Sequence, residues 1–230
     1  MTKQLTPERA ANAEHAAGNR HAAVHRWPDD PARTWTLDAV ERAAANEAIL
    51  AIVATGSSVR DVEHSDDLDL VLVYRGCRPV MPRPPISIDL RRCGHDEVLQ
   101  KLKDGHDYLS WTVRYGTALF ERGSWWTILR TDWKGRLSLP SVAEARERAQ
   151  KAERLYQKMT ELGDTDAAAE LELSMLTFLG RAALSEAKVF PKSRPEIPYQ
   201  LQEIGERELA DRIVSALERR TKRTLADSTI

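Results

Sequence analysis

Gly56-Ser57, nine intervening residues and Asp67-Leu68-Asp69 form the densest group of chemistry-bearing side chains in the sequence, and Asp89 follows further on. Side chains on a strand alternate between faces, so Asp67 and Asp69 project together, roughly 7 Å apart along it. Leu68, Leu70 and Leu72 then point the other way, into a core. The run Ile86-Ser-Ile-Asp-Leu90 repeats this parity, with Ile86, Ile88 and Leu90 facing in and Ser87 and Asp89 facing out. If the two strands are neighbours, three carboxylates converge at one edge of a sheet. Such a group repels itself unless a cation neutralises it, and hard oxygen ligands select Mg2+ or Mn2+. Two such ions roughly 3.5–4 Å apart would organise an in-line displacement at phosphorus. The Gly-Ser turn adds a place where backbone can approach a phosphate closely and where N–H groups of the next turn can hold its oxygens. Arg60, one turn on, could add charge-assisted hydrogen bonds to the β- and γ-phosphates.

These residues need elements to position them. Ile49–Ala54 is a short β-branched apolar run that stops at Thr55-Gly56-Ser57-Ser58, and it reads as a buried strand ending in a tight turn. Residues 67–74 read as a second strand, and 86–90 as a third, after a loop with prolines at 79, 82, 84 and 85. Helical patterning covers 37–47, 95–103 and 106–121, and a loosely packed helix is expected over 7–25, before the turn Trp27-Pro-Asp-Asp-Pro31. From Ser141 onward the pattern is helical only. Ala152, Leu155, Tyr156 and Met159 share one face, residues 167–189 are apolar nearly all round, and Leu209, Ile213 and Leu217 recur on a third helix. The expected class is α+β: a small mixed β-sheet domain with flanking helices, then an all-α helical bundle.

At this spacing the sequence resembles the DNA polymerase β-like nucleotidyltransferases. Their hallmark is a strand ending in Gly-Ser, a short helix, a strand carrying Asp-x-Asp, and a third acidic residue on the next strand. Gly56, Ser57, Asp67, Asp69 and Asp89 occupy those positions. Two departures stand out: Asp66 adds an extra acid before the pair, and Asp61 replaces the second glycine of a Gly-Ser-x-x-Arg-Gly turn. Trp111-Thr-Val-Arg-Tyr-Gly116 with Leu119 is similar to the helix closing the nucleotidyltransferase domain in bacterial members. Phe190–Leu201 is similar to a segment of the helical domain in relatives of the aminoglycoside nucleotidyltransferases. The likeness spans about 40–220 and implies an N-terminal helical extension over 1–36, a nucleotidyltransferase domain over 37–135 and a helical domain over 141–225. It further implies transfer of a nucleoside monophosphate from an NTP, ATP first, to an acceptor hydroxyl, with pyrophosphate leaving. Asp67, Asp69 and Asp89 would hold Mg2+ or Mn2+ and carry the catalysis, Asp89 taking the acceptor proton if it does not complete the metal site. Gly56, Ser57 and Arg60 would bind the nucleotide. Glu170 and Glu172 are candidates for a separate base, and the acceptor is expected between the two domains.

Composition narrows the partners. The 230 residues carry 34 basic and 35 acidic side chains, a net charge of −1, and the balance holds in each half. A dedicated nucleic-acid binder shows a basic excess, so a small acceptor, or one docked by shape, fits better than a long polyanion. Cys77 and Cys93 cannot make a disulfide framework or a four-ligand zinc site. The first residues lack the apolar core of a secretory signal, and no apolar run nears the ~20 residues of a membrane span, so a cytoplasmic protein is expected.

Two other readings use the same motif. One is a toxin–antitoxin component that nucleotidylates a partner protein or tRNA; the other is an NTP-binding module without turnover. No histidine follows His106, so the helical half lacks the Arg…His pair of a HEPN ribonuclease. Several residues have plain structural readings: Asp66 and His64 as loop positions, and Ser193 with Glu196 as a capping box. Trp111, Trp125, Trp126 and Trp133 read as packing residues, with base stacking as the sharper alternative. His15, His21 and His25 lack acidic or cysteine partners for a metal. The basic run 219–223 reads as a solvated tail.

Overall fold

The structure, a computed structural model, describes residues 24–60 and 67–227, with side chains as far as Thr221. The expected helix over 7–25 lies outside the described residues except at its last two positions, as do His64, Ser65 and Asp66. The chain divides after Leu137 into two compact units. Among the described residues no helix is long and apolar enough to cross a membrane.

The first unit begins with helix α1 (Asp30–Ala45). Asp29 caps it by accepting from the Ala32 N–H at 2.6 Å, and Pro31 sits in the first turn, where its missing N–H costs nothing. The Asp-Asp-Pro stretch is thus a helix start rather than the end of a turn, and the expected boundary at 36/37 falls inside α1. Ala32, Thr36, Ala39 and Ala43 form its buried stripe, and their small side chains let the helix lie close to the sheet.

Four strands follow: β1 (Ile49–Thr55), β2 (Leu68–Tyr74), β3 (Ile88–Gly94) and β4 (Thr117–Glu121), in the order β3-β2-β1-β4. β1 is antiparallel to β2 and β4, while β2 and β3 are parallel, so the sheet is mixed. Leu68, Leu70, Leu72, Ile52 and Ile88 face a core shared with α1. Val53, Val71, Val73 and Cys93 face a second core, shared with α2 (His95–Lys103), α3 (Asp107–Tyr115) and α4 (Trp125–Trp133). Both faces are therefore covered. Burying one leucine of the Leu68-Leu70-Leu72 set stabilises the sheet by roughly 1.5–3 kcal/mol.

Two expectations need correcting. Ile86 is not in the core; it lies fully exposed, because β3 begins two residues later. The helix expected over 106–121 ends at Tyr115 and gives way to β4. A side chain at Gly116 would stand 2.6 Å from the Thr112 carbonyl and 2.9 Å from Val53, so the glycine lets the chain turn tightly against β1. Thr117-Ala-Leu-Phe-Glu121 then pairs with β1, a partner that no local pattern announces.

The second unit is helical throughout: α5 (Val142–Glu161), α6 (Thr165–Glu186), α7 (Ile197–Glu203) and α8 (Arg207–Asp227). Ser141 and Asp164 cap α5 and α6 through their side chains. Leu173, Leu176, Leu184, Ile197, Leu201 and Ile213 make the core. Ser193 and Glu196 form the expected capping box, and buried Gln200 holds the preceding connection by donating to the Phe190 carbonyl and accepting from the Lys192 N–H. The run at 219–223 belongs to α8 rather than to a tail. The described chain is α+β, a four-stranded mixed sheet with flanking helices followed by a helical unit.

Candidate functional site

Backbone pairing sets the site. Thr55 at the end of β1 lies opposite Asp69 on β2, and Asp69 lies beside Asp89 on β3. Neighbouring strands run about 4.8 Å apart and paired residues share a face, so Thr55, Asp69 and Asp89 stand in one row. Asp89 is exposed, as expected, and so is Asp67, just before the strand; the face continues into the second core through Val71, Val73 and Cys93, and Asp69 between them is only partly exposed.

Burial lifts the Asp69 carboxyl to about 7, and the charges of Asp67 and then Asp89 push in the same direction; Arg91 opposes them. Gly56 completes this pocket. Its φ of 84° is a left-handed conformation, and a side chain there would overlap the Asp69 carboxylate. The carboxylate thus packs directly on the glycine backbone. After Gly56 a 3-10 turn covers Ser57–Val59, and the Ser58 carbonyl accepts from the His25 and Arg26 N–H groups. The segment leading into α1 therefore pins this turn. The His25 side chain is exposed.

Arg60 lies over the Tyr115 ring at 5.0 Å, with Arg114 5.7 Å from the same ring and Trp111 packed beside it at 5.0 Å, its plane tilted by 53°. The pattern of α3 thus brings an aromatic stripe to the Gly-Ser turn. Trp125 and Trp126 pack against each other, and Trp125 also meets His95. At the other end of the stripe, the Arg91 guanidinium lies 3.7 Å above the Tyr108 ring and bonds Asp89 through Nε and Nη2 at 3.3 and 3.2 Å. Burial and the Asp69 charge push the Tyr108 phenol far up. Tyr108 Oη and Thr55 Oγ1 are buried without a hydrogen-bond partner among the described residues. Sequence reasoning missed Arg91 and Tyr108. The available signal was spacing, since Arg91 follows Asp89 by two residues on the same strand face.

The three acids do not form a ready cage. Among the described residues no three His, Cys, Asp or Glu side chains are gathered to hold a metal, and Asp89 is turned to Arg91. The donor set nonetheless fits a hard divalent cation through Asp67 and Asp69. A carboxylate buried on a glycine backbone and flanked by two more acids is short of positive charge. Arg91 holds Asp89 through a single oxygen, Oδ2. Glu170 and Glu172 are committed elsewhere, to Arg220 and Arg219 of α8, each at 2.7 Å. A surface cleft of about 470 Å3, lined in part by Arg75, Arg122, Trp125 and Trp133, lies at the opposite end of the sheet from Asp69.

No protein-family model matches the chain, and no curated protein does. Among solved structures it is similar to a nucleotidyltransferase-like protein from Exiguobacterium sibiricum 255-15, at 17% identity and a TM-score of 0.34, over 80% of this chain and 71% of that one. Likeness at that level carries no argument about chemistry; the geometry must.

Proposed function

We propose that the protein is a metal-dependent nucleotidyltransferase that moves a nucleoside monophosphate from an NTP, ATP first, to an acceptor hydroxyl. The observation that carries this reading is the row Thr55–Asp69–Asp89 with the Asp69 carboxylate seated on positive-φ Gly56. Asp67 and Asp69 would hold Mg2+ or Mn2+, which when bound neutralises the carboxylates and the triphosphate. Gly56 leaves the backbone bare, so a phosphate oxygen can approach where a side chain would block it. Arg60 would leave the Tyr115 ring to meet the β- and γ-phosphates with its guanidinium fork. The acceptor oxygen bonds the α-phosphorus, the bond to pyrophosphate breaks and the acceptor proton passes to solvent, while Asp89 would complete the cation site.

The test is transfer of label from α-labelled NTPs with Mg2+, across aminoglycosides, tRNA and candidate protein partners. Label on one acceptor with matching pyrophosphate release, both lost in Asp67→Ala, supports the proposal and names the acceptor. NTP binding without pyrophosphate release for any acceptor favours a non-catalytic module. Equal behaviour of wild type and Asp67→Ala, with no Mg–NTP binding, refutes both.

A further inference from the structure

Asp89 stands next to Asp69 in register and is bonded by a side-chain cation. The holder is Arg91, which places Nε at 3.3 Å and Nη2 at 3.2 Å from one and the same Asp89 oxygen. The two residues are i and i+2 on the edge strand β3, so the strand's own pleat delivers the guanidinium to the carboxylate. Tyr108 of α3 lies beneath the guanidinium at 3.7 Å and fixes its plane. Arg92, the next residue, points to the opposite face and has no part in the arrangement. The Arg91 and Asp89 side chains are 46% and 49% exposed, so water screens their attraction and the pair is easily parted.

We propose that Arg91 is a latch on Asp89: it holds one oxygen of the third carboxylate and competes with the cation for it. This rests on the nucleotidyltransferase reading, since it supposes a cation bound at Asp67 and Asp69. Arg91 is a positioning residue, acting through Asp89 rather than touching the reacting atoms. Register sets Asp69 beside Asp89, and a side-chain cation already stands where a metal would draw Asp89. Tyr108 provides the seat on which the guanidinium rests while it holds Asp89.

Mn2+ binding to the full chain, followed by the loss of free-ion paramagnetic signal, tests the latch without any turnover. Arg91→Gln is expected to bind Mn2+ about fivefold more tightly than wild type, the scale of one half-exposed ion pair. Arg92→Gln removes the same charge from the other face and is expected to change affinity less than twofold, separating the latch from the general field of the protein. In an Asp89→Asn background, Arg91→Gln should no longer tighten binding. Tyr108→Phe keeps the ring and should bind as wild type does, while Tyr108→Leu should move toward the Arg91→Gln value. Asp69-dependent binding that Arg91→Gln leaves unchanged or weakens overturns the latch alone. Mn2+ binding that is absent, or indifferent to Asp69→Asn, in every variant overturns the metal-site reading and the latch with it.

Discussion

The two ends of the four-stranded sheet are built on opposite principles. At the far end Arg122 donates to the carbonyls of Ile49, Ala43, Ala44 and Asn46, at 2.9–3.2 Å, tying α1 to β1 and β4. One cation there answers four backbone acceptors. At the near end the balance is reversed. Asp69 is buried beside two other acids, Gly56 holds a left-handed backbone, and the Thr55 and Tyr108 hydroxyls are buried without partners among the described residues. Burying charge and polar groups without full compensation costs stability, and such costs concentrate where a ligand supplies the missing partner. The proposed function uses the Asp69 end, although the cleft lined by Arg75 and Arg122 opens at the other.

Substitutions at the two ends should break or sharpen this contrast. Gly56→Ala meets both a left-handed φ and the Asp69 carboxylate, and should lower the unfolding free energy by about 2–4 kcal/mol in urea titrations. A loss below about 0.5 kcal/mol would show that the turn relaxes freely. Arg122→Ala leaves four carbonyls to find other donors and should cost about 2 kcal/mol. Its affinity for Mg–ATP should stay at the wild-type value in protein that is still folded; a tenfold fall would mean that the two ends are not independent.

The smallest effect is the most diagnostic. Asp69 has a folded pKa of about 7, raised above its unfolded value. The folded state therefore holds the extra proton, so this contribution to stability is complete below about pH 4 and fades as pH rises to 7. In EDTA at pH 8, Asp69→Asn should be more stable than wild type by about 1–2 kcal/mol, with the advantage gone at pH 4. Thermal melts check it. A destabilised Asp69→Asn at pH 8 would mean that the carboxylate is satisfied in the metal-free fold.

Much of the near end was legible because strand parity is a local rule. The β-branched run at 49–54 and the Asp-Leu-Asp-Leu alternation place β1 and β2 within a residue, the pattern at 86–90 finds β3 but ends four residues early, and parity puts Asp69 and Asp89 on one face. The helix at 95–103 was legible for the same reason. What escaped depends on distant partners. β4 was hidden inside a helical pattern because only its pairing with β1 makes Thr117–Glu121 a strand. The burial of Asp69 was hidden because alternation shows which face a residue takes, not that α3 covers that face. The hold of Arg91 on Asp89 was hidden because charge spacing does not reveal a turned carboxylate, and the Tyr108 seat comes from another element.

The central claim is that Asp69 is a ligand-bearing acid rather than a structural one. Calorimetric titration of the full chain with Mg–ATP at pH 8, for wild type and Asp69→Asn, tests it most directly. The account predicts saturable binding in wild type and affinity lowered at least about tenfold in Asp69→Asn, a loss of about 1.4 kcal/mol, in a protein no less stable. Equal affinity in the two proteins, with Asp69→Asn folded, would contradict it.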